Sequence, residues 1–428
     1  MRFATIVYLR NWVLTCTLAL LTIPGFIDHD MFLFGIRLGR FQPFKFFFVF
    51  WLLLQTMCVF SQYQGQWFKW IKSLSKKPLC IGLVISIIAL DFLLGLSLVV
   101  EGNPARGSSI LIALILGELA ALVTIMDKHF PARSVLLGFF IATCILFIFS
   151  IIEIFFPNSA FIINFLNIVR DAPNISFQLG SSLSVAALAE FIVRALPLVL
   201  LFSRRYWWCA ITSFSLMIMG VMTLEKSAFL SIIAILLVVL FSNYGRRYWK
   251  HIILAITTAV VLTIGIIGYK PLMGRFFGTG SLAGNTVYSK MSDTAMKERL
   301  YVYKLAIQVI KAKPWLGIGL DGFSFRSQEK KFPLKNAYRP DGSHTHNLFL
   351  EMAVSGGIFA LFAFVLIFGI FTKLCVSNNS IYWCSLLYLS GQFVSCMVDA
   401  RICVSWLAIT LFWFAGIARK LDEYEQQK

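Results

Sequence analysis

The sequence predicts an all-α polytopic integral membrane protein with about twelve transmembrane helices and one long external loop. Hydrophobic residues make up 59% of the 428 residues, charged residues only 14%, and the mean hydropathy is +0.80. A water-soluble domain has about 25% charged residues, so that class is excluded. Apolar runs of roughly 17 to 25 residues recur along the chain, which is the length that an α-helix needs to cross a bilayer.

The apolar runs divide the chain into four parts. Residues 1–269 hold nine candidate spans, 270–345 form the long loop, 346–418 hold three further spans, and 419–428 form a tail. The predicted spans are 11–27, 41–60, 79–100, 108–126, 135–156, 178–202, 206–223, 226–242, 251–268, 346–371, 380–398 and 402–418.

Basic residues predict the orientation. If the N-terminus is cytoplasmic, the loops and termini on that side contain 17 Lys or Arg, against six in the short loops of the opposite side. Because Lys and Arg are retained on the cytoplasmic side, both termini are predicted to be cytoplasmic and the long loop external. The same rule accounts for much of the net charge of +18, so nucleic acid is not a predicted partner.

The long loop contains 76 residues, with 13 Lys or Arg and five Asp or Glu. A loop of this length is usually functional. Its excess of basic residues lies on the side where basic residues are disfavoured. The simplest reason for that excess is an anionic ligand.

An amphipathic helix is predicted inside the loop over residues 295–313. Ser292, Asp293 and Thr294 supply capping side chains, and Pro314 ends the helix. The apolar positions at helical spacing are Leu300, Tyr303, Ile307 and Ile310. The polar side carries Lys297, Arg299, Lys304, Lys311 and Lys313. Such a helix suits the lipid headgroup region, where membrane lipid is the predicted partner.

The strongest chemical signal lies at the exit of the loop, in Ser343-His-Thr-His-Asn347. A histidine can take a proton from a hydroxyl near neutral pH, and Asn347 can orient it or bind a sugar hydroxyl. A metal site would need further ligands, for which only Asp341 and Glu351 are near, so no metal or cofactor is predicted. The alternative reading is that these polar residues cap the next span.

Glycines at 317, 319 and 322 spell GxGxxG, the spacing of a dinucleotide-binding fingerprint. That fingerprint requires a strand before the glycines and a helix after them, which the sequence does not predict. The glycines instead predict a turn whose backbone passes close to neighbouring helices.

Ionisable residues inside predicted spans are Asp91, Glu118, Glu153, Glu190 and Arg194. Glu190 and Arg194 are four residues apart, so they either neutralise each other or bind substrate. Asp399 and Arg401 occupy the external turn between the last two spans, and Lys226 lies at another external turn. With the histidines these residues predict a cationic site matched to a lipid phosphate.

Several motifs together resemble those of the O-antigen ligase and polymerase superfamily. They are the helix segment 297–303, Lys-Pro-Trp-Leu-Gly-Ile-Gly at 313–319, the histidines at 344–347 and Gly356-Gly357. The resemblance extends to the topology, with cytoplasmic termini and one long late loop.

The resemblance implies a GT-C-like membrane glycosyltransferase of the Gram-negative inner membrane with a periplasmic active site. The donor would be O-antigen on undecaprenyl diphosphate and the acceptor a sugar of lipid A-core, in an inverting, metal-independent ligase reaction. His346 resembles the essential histidine of the family, and Arg299 the arginine assigned to the diphosphate. Substrate-binding residues are expected among His344, Asn347, Lys226, Arg194, Asp399 and Arg401. The family usually has arginine where this chain has Lys226.

Three alternatives remain open at the level of sequence. An O-antigen polymerase would use the same donor but a second lipid-linked repeat unit as acceptor. An oligosaccharyltransferase would use a polypeptide acceptor. A polytopic lipid or solute transporter would also have many spans, although transporters usually show paired halves and polar residues at the bilayer midplane.

Overall fold

The computed structural model describes residues 3–22, 27–33, 36–41, 43–63, 78–101, 104–156, 185–241, 253–254, 256–265, 287–320, 322–323, 344–376, 382–398 and 405–427. The helices in these residues are α1 (Phe3–Leu20), α2 (Pro43–Tyr63), α3 (Pro78–Glu101), α4 (Pro104–Met126), α5 (Ala132–Phe155), α6 (Val185–Leu200), α7 (Trp207–Met222), α8 (Lys226–Phe241), α9 (Ile256–Gly265), α10 (Val287–Ala312), α11 (Leu348–Cys375), α12 (Trp383–Val398) and α13 (Ser405–Gln426).

A helix lies in each segment that was predicted to span the membrane, and α10 lies in the long loop. Within the described ranges, five helices (α2, α3, α4, α5 and α11) contain segments long and apolar enough to cross a membrane, and five other apolar helices are shorter. A helical membrane protein is therefore confirmed, while the number of crossings stays a prediction. The strands β1 (Ile27–Leu33) and β2 (Ile36–Phe41) form an antiparallel pair between α1 and α2, which the all-α prediction did not include.

Proline sets several helix boundaries. The helices α2, α3 and α4 begin with Pro43, Pro78 and Pro104, where the missing N–H costs nothing because the first turn has no intrahelical acceptor. The helix α10 ends at Ala312, two residues before Pro314, as predicted.

The first helix differs from its prediction. It begins at Phe3 and not at residue 11, so Arg10 lies inside it. Arg10 is fully buried and donates to the Asp127 carboxylate at 2.5 Å and to Gln55 at 3.4 Å. Because the carboxylate compensates the buried charge, the helix can extend past the arginine.

The core between the helices is apolar and rich in aromatic rings. The ring of Trp413 in α13 lies 4.7 Å from that of Trp51 and 5.1 Å from that of Phe48, both in α2. Aromatic pairs at such distances favour tilted or edge-on packing, which is the arrangement observed. This packing joins the middle of α13 to the middle of α2.

Candidate functional site

The two histidines lie in a turn at the start of α11, which we call the histidine turn (residues 344–347). The rings of His344 and His346 are 4.3 Å apart between centroids, and both side chains are half-buried. Asn347 is the N-cap of α11, since its Oδ1 accepts from the Leu350 N–H at 3.1 Å. The capping interpretation is therefore confirmed for Asn347. Its Nδ2 also donates to the Met397 carbonyl, 3.1 Å away at the end of α12.

The backbone of His346 is strained. Its φ of +53° lies in the left-handed region, which costs a residue other than glycine roughly 1–2 kcal/mol. Three hydrogen bonds stabilise the turn. The Tyr303 hydroxyl donates to the His346 carbonyl at 3.4 Å, the Thr345 N–H to buried Glu351 at 2.9 Å, and the Thr345 hydroxyl to the Asn347 carbonyl at 2.8 Å. Such strain persists only where the surroundings hold it, and it is frequent at functional sites.

Arg299 lies on α10 one helical turn before Tyr303, the residue that contacts the histidine turn. Arg299 lies four residues before Tyr303, so both residues lie on one helix face, and Tyr303 contacts His346. Arg299 is half-buried. The structure therefore places the predicted diphosphate-binding arginine and the predicted catalytic histidine at the same end of the molecule.

The predicted start of α10 is wrong. It begins at Val287, so the expected capping residues 292–294 lie inside the helix. Leu300 and Ile307, two of the apolar positions predicted at helical spacing, are 55% and 45% exposed. The face that packs against Val354 of α11 is formed instead by Val302, Leu305, Ala306 and Val309.

The glycines of the GxGxxG segment have a structural role, as interpreted from the sequence. The helix α11 is broken at Gly357, whose φ of 77° and ψ of −174° are not helical. The segment after α10 docks on this break. The N–H groups of Ile318 and Gly319 donate to the Val354 and Ser355 carbonyls at 2.8 and 3.0 Å.

Close approach explains the glycine at both sides of this contact. A Cβ atom at Gly317 would lie 2.3 Å from the Val354 oxygen, and one at Gly357 would lie 2.1 Å from the Trp315 oxygen. Ser97 of α3 joins the contact, since its hydroxyl donates to the Ser355 carbonyl at 2.5 Å and accepts from the Gly319 N–H at 2.9 Å. The contact therefore locks the end of α10 to α11 and α3.

Glu190 and Arg194 form an ion pair at 3.2 Å, and each residue is only 3% exposed. Arg194 also donates to the Leu407 carbonyl and to the Thr410 hydroxyl of α13, and Ser395 of α12 donates to Glu190. The ion pair therefore joins α6, α12 and α13. The neutralising interpretation is confirmed, and a role for Arg194 in substrate binding stays a prediction.

These contacts gather several helix ends at one place. Met397, which binds Asn347, is two residues after Ser395, which binds Glu190. Ala228 near the start of α8 packs on Ala189 and Val193 of α6. The first turns of α8, α11 and α13 and the second and third turns of α6 therefore lie near the last turn of α12. Because helix N-termini carry partial positive charge, this end of the bundle favours an anion.

Lys226 is the first residue of α8, two residues before Ala228, and so lies at this end of the bundle. The turn before it contains Leu224 with φ of +54°, and the Glu225 N–H donates to the Thr223 hydroxyl at 3.3 Å. Asp399 and Arg401 lie outside the described residues. The described residues on either side of them contact this end of the bundle. The Met397 carbonyl accepts from Asn347, and the Leu407 carbonyl accepts from Arg194.

Two predicted intramembrane carboxyl groups pair with each other. Asp91 of α3 and Glu118 of α4 share a side-chain hydrogen bond. This hydrogen bond links the neighbouring helices α3 and α4.

Sequence reasoning did not single out Ser395, Thr410, Ser97 or a role for Tyr303 in the site. Hydroxyl side chains inside apolar runs are frequent and usually bond to their own helix, as Thr143 does with the Phe139 carbonyl. The position of Glu351 could have predicted its contact with a backbone N–H, because a carboxylate in the first turn of a helix is favoured beside unsatisfied N–H groups. From the sequence, Glu351 was expected to matter only as a possible metal ligand.

A comparison with known protein families supports the resemblance. Residues 210–365 match the family model described as O-Antigen ligase. The matched stretch runs from α7 into α11, so it includes Lys226, Arg299 and the histidine turn. The resemblance predicted from the motifs is therefore confirmed over this stretch. No curated protein matches the chain.

Proposed function

From the O-antigen ligase domain at residues 210–365, we propose that this protein is a membrane glycosyltransferase of lipopolysaccharide biosynthesis. In this proposal it is an O-antigen ligase of the bacterial inner membrane with a periplasmic active site. It transfers a glycan from undecaprenyl diphosphate to a sugar of lipid A-core. The reaction is inverting and uses no metal ion.

One observation carries the proposal. The Tyr303–His346 hydrogen bond joins the arginine-bearing face of α10 to the histidine turn. A group that can accept a proton and a group that can bind a diphosphate therefore share one end of the bundle. This is the pairing that transfer from a glycosyl diphosphate to a hydroxyl requires.

In the proposed reaction His346 accepts the proton of the acceptor hydroxyl. The oxygen attacks the anomeric carbon of the donor sugar as the bond from that carbon to the diphosphate oxygen breaks. The new glycosidic bond forms, and undecaprenyl diphosphate leaves as the anion. Arg299, Lys226 and the positive ends of the surrounding helices stabilise the charge that develops on the diphosphate.

Substrate binding is proposed for the remaining residues at this end. His344 lies beside His346 and can bind the acceptor. Asn347, Arg194, Asp399 and Arg401 are proposed to hold the glycan or the diphosphate. For Asn347 and Arg194 this role would come in addition to the capping bond and the ion pair described above.

The test is transfer in a purified system that contains the protein, undecaprenyl diphosphate-linked glycan, lipid A-core and EDTA. We expect product, and a rate about 10² to 10⁴ lower for His346→Ala because a general base contributes about that much. His129→Ala is the matched control, since His129 is exposed in the loop after α4.

Three outcomes would change the proposal. Near-normal transfer by His346→Ala would exclude the general-base role. Elongation of the lipid-linked glycan without transfer to lipid A-core would indicate the polymerase. An EDTA-sensitive reaction would contradict metal independence.

A further inference from the structure

A cavity of about 120 Å³ lies inside the bundle, lined by residues of α3, α4, α11, α12 and α13. Its walls are apolar apart from Glu118, Tyr388 and Gln392. On α11 the first residue that lines it is Ile367, which comes 19 positions after Leu348 at the start of that helix. At 1.5 Å per residue, about 28 Å of α11 therefore separate the cavity from the histidine turn. The cavity is distinct from the candidate site.

The cavity is closed toward α12 and open toward α3 and α4. Tyr388 and Gln392, which line it on α12, are each 1% exposed. Val84 on α3 and Leu122 on α4 line the other side and are 42% and 39% exposed. Both α3 and α4 contain segments long and apolar enough to cross a membrane. The open side therefore faces hydrocarbon, and a ligand of this cavity enters from the bilayer.

Two of the three polar side chains in the wall have atoms left to bond. The Tyr388 hydroxyl is satisfied, since it donates to the Leu411 carbonyl at 2.6 Å. Neither Oε1 nor Nε2 of Gln392 has a hydrogen-bond partner among the residues that the structure describes, and the same holds for Oε1 of buried Glu118. Buried polar groups are nearly always hydrogen-bonded. An unbonded amide and an unbonded carboxyl oxygen in the wall of one cavity therefore indicate a ligand with a polar group.

The chemistry of these two side chains selects the polar group. Glu118 shares a hydrogen bond with Asp91, which requires a proton between the two carboxyl groups, so the pair carries at most one negative charge. That charge disfavours an anionic ligand. An ammonium group donates but does not accept, so it would leave Nε2 of Gln392 unbonded. A hydroxyl both donates and accepts, so it suits the amide and the carboxyl group together.

We propose that this cavity binds an uncharged lipid that has a hydroxyl group at the end of an aliphatic chain. The hydroxyl accepts from Nε2 of Gln392 and donates to Oε1 of Glu118. An apolar protein cavity of about 150 Å³ holds a molecule of benzene, so this one holds the hydroxyl and the first carbons of the chain. The remainder of the chain passes between Val84 and Leu122 into the bilayer.

The proposal is tested by photolabelling the full chain in phosphatidylcholine nanodiscs with hexadecanol that carries a diazirine and an alkyne. Adducts are located by peptide mass spectrometry, and competition by unlabelled hexadecanol gives the affinity. We expect adducts at Val84 or Leu122, and binding about tenfold weaker in Gln392→Leu, because one or two hydrogen bonds contribute about that much. This variant breaks no hydrogen bond between described residues, so it should unfold at or above the wild-type temperature.

Two tryptophan variants of α4 locate the binding site. Leu122→Trp obstructs the open side and should abolish labelling, whereas Leu119→Trp changes a residue that is 46% exposed on the same helix outside the cavity wall and should not. Labelling that survives Leu122→Trp or Gln392→Leu would overturn the proposal. Equal competition by hexadecane or by hexadecanoate would do the same, because neither presents a neutral hydroxyl. Stronger competition by undecaprenyl diphosphate would instead assign the cavity to the glycan donor. No step of this test depends on glycan transfer.

Discussion

Substitution of Gly357 by alanine tests the contact that locks α10 to α11. The backbone of Gly357 has φ of 77° and ψ of −174°, a combination that only glycine adopts readily. A Cβ atom there would lie 2.1 Å from the Trp315 oxygen. Alanine therefore requires both a strained backbone and a displacement of the segment after α10.

The expected cost follows from these two effects. The backbone strain costs about 1–3 kcal/mol. Displacement of the segment weakens three hydrogen bonds, donated by Ile358, Ile318 and Gly319 at 2.8, 2.8 and 3.0 Å. Each contributes about 0.5–1.5 kcal/mol, so the free energy of unfolding should fall by roughly 3 to 7 kcal/mol.

The assay is thermal unfolding of purified variants in detergent, with the folded fraction measured by size-exclusion chromatography after heating. Gly369→Ala is the matched control, because it makes the same change in the same helix with no atom within 4 Å of the new Cβ. Alanine is favoured over glycine in a helix interior by about 1 kcal/mol, so the control should be neutral or stabilising. A Gly357→Ala protein that unfolds at the wild-type temperature would refute the reasoning.

Three further predictions concern side chains around the site and the tail. Tyr303→Phe removes the 3.4 Å hydrogen bond to the His346 carbonyl, which contributes about 0.5–1.5 kcal/mol to the turn, so kcat for transfer should fall about threefold to tenfold while KM stays constant; an unchanged kcat would contradict this positioning role. Glu190→Gln leaves buried Arg194 without its counter-charge and should cost about 3–5 kcal/mol in unfolding experiments, whereas Glu190→Gln/Arg194→Met should be more stable than the single variant. Burial raises the pKa of Asp422 from 3.8 to about 6, so the folded state binds that proton more tightly. Protonated Asp422 therefore contributes stability below about pH 4, and this contribution is lost as the pH rises through about 6. The temperature of unfolding should fall over this pH range in the wild type but not in Asp422→Asn.

The sequence alone predicted the helical segments, because the features that define them are local. A run of about twenty apolar residues has one stable conformation in a bilayer, where every backbone polar group must be bonded within the helix. Pro314 after α10 marked a helix end for an equally local reason. The candidate turn with His344 and His346 was also identified from sequence, because two histidines adjacent to an apolar run form an unusual pattern.

The buried side of α10 was decided only by the tertiary structure. The apolar pair Leu300 and Ile307 and the buried pair Val302 and Leu305 both occur at helical spacing, so periodicity alone does not tell which pair packs against the protein. The side that becomes buried depends on where Val354 of α11 lies, and that position is fixed by the break at Gly357 and the segment docked on it.

The sequence therefore determined that this chain is a helical membrane protein, and it identified the histidine turn, the basic helix and the family they resemble. Only the tertiary structure decided that Arg194 is paired with Glu190, that Tyr303 supports His346 and which side of α10 packs against α11. The physical reason is the range of the interactions. Helix formation depends on residues within a few positions of one another, whereas each of these contacts depends on how separate helices pack or on what a packed helix leaves uncovered.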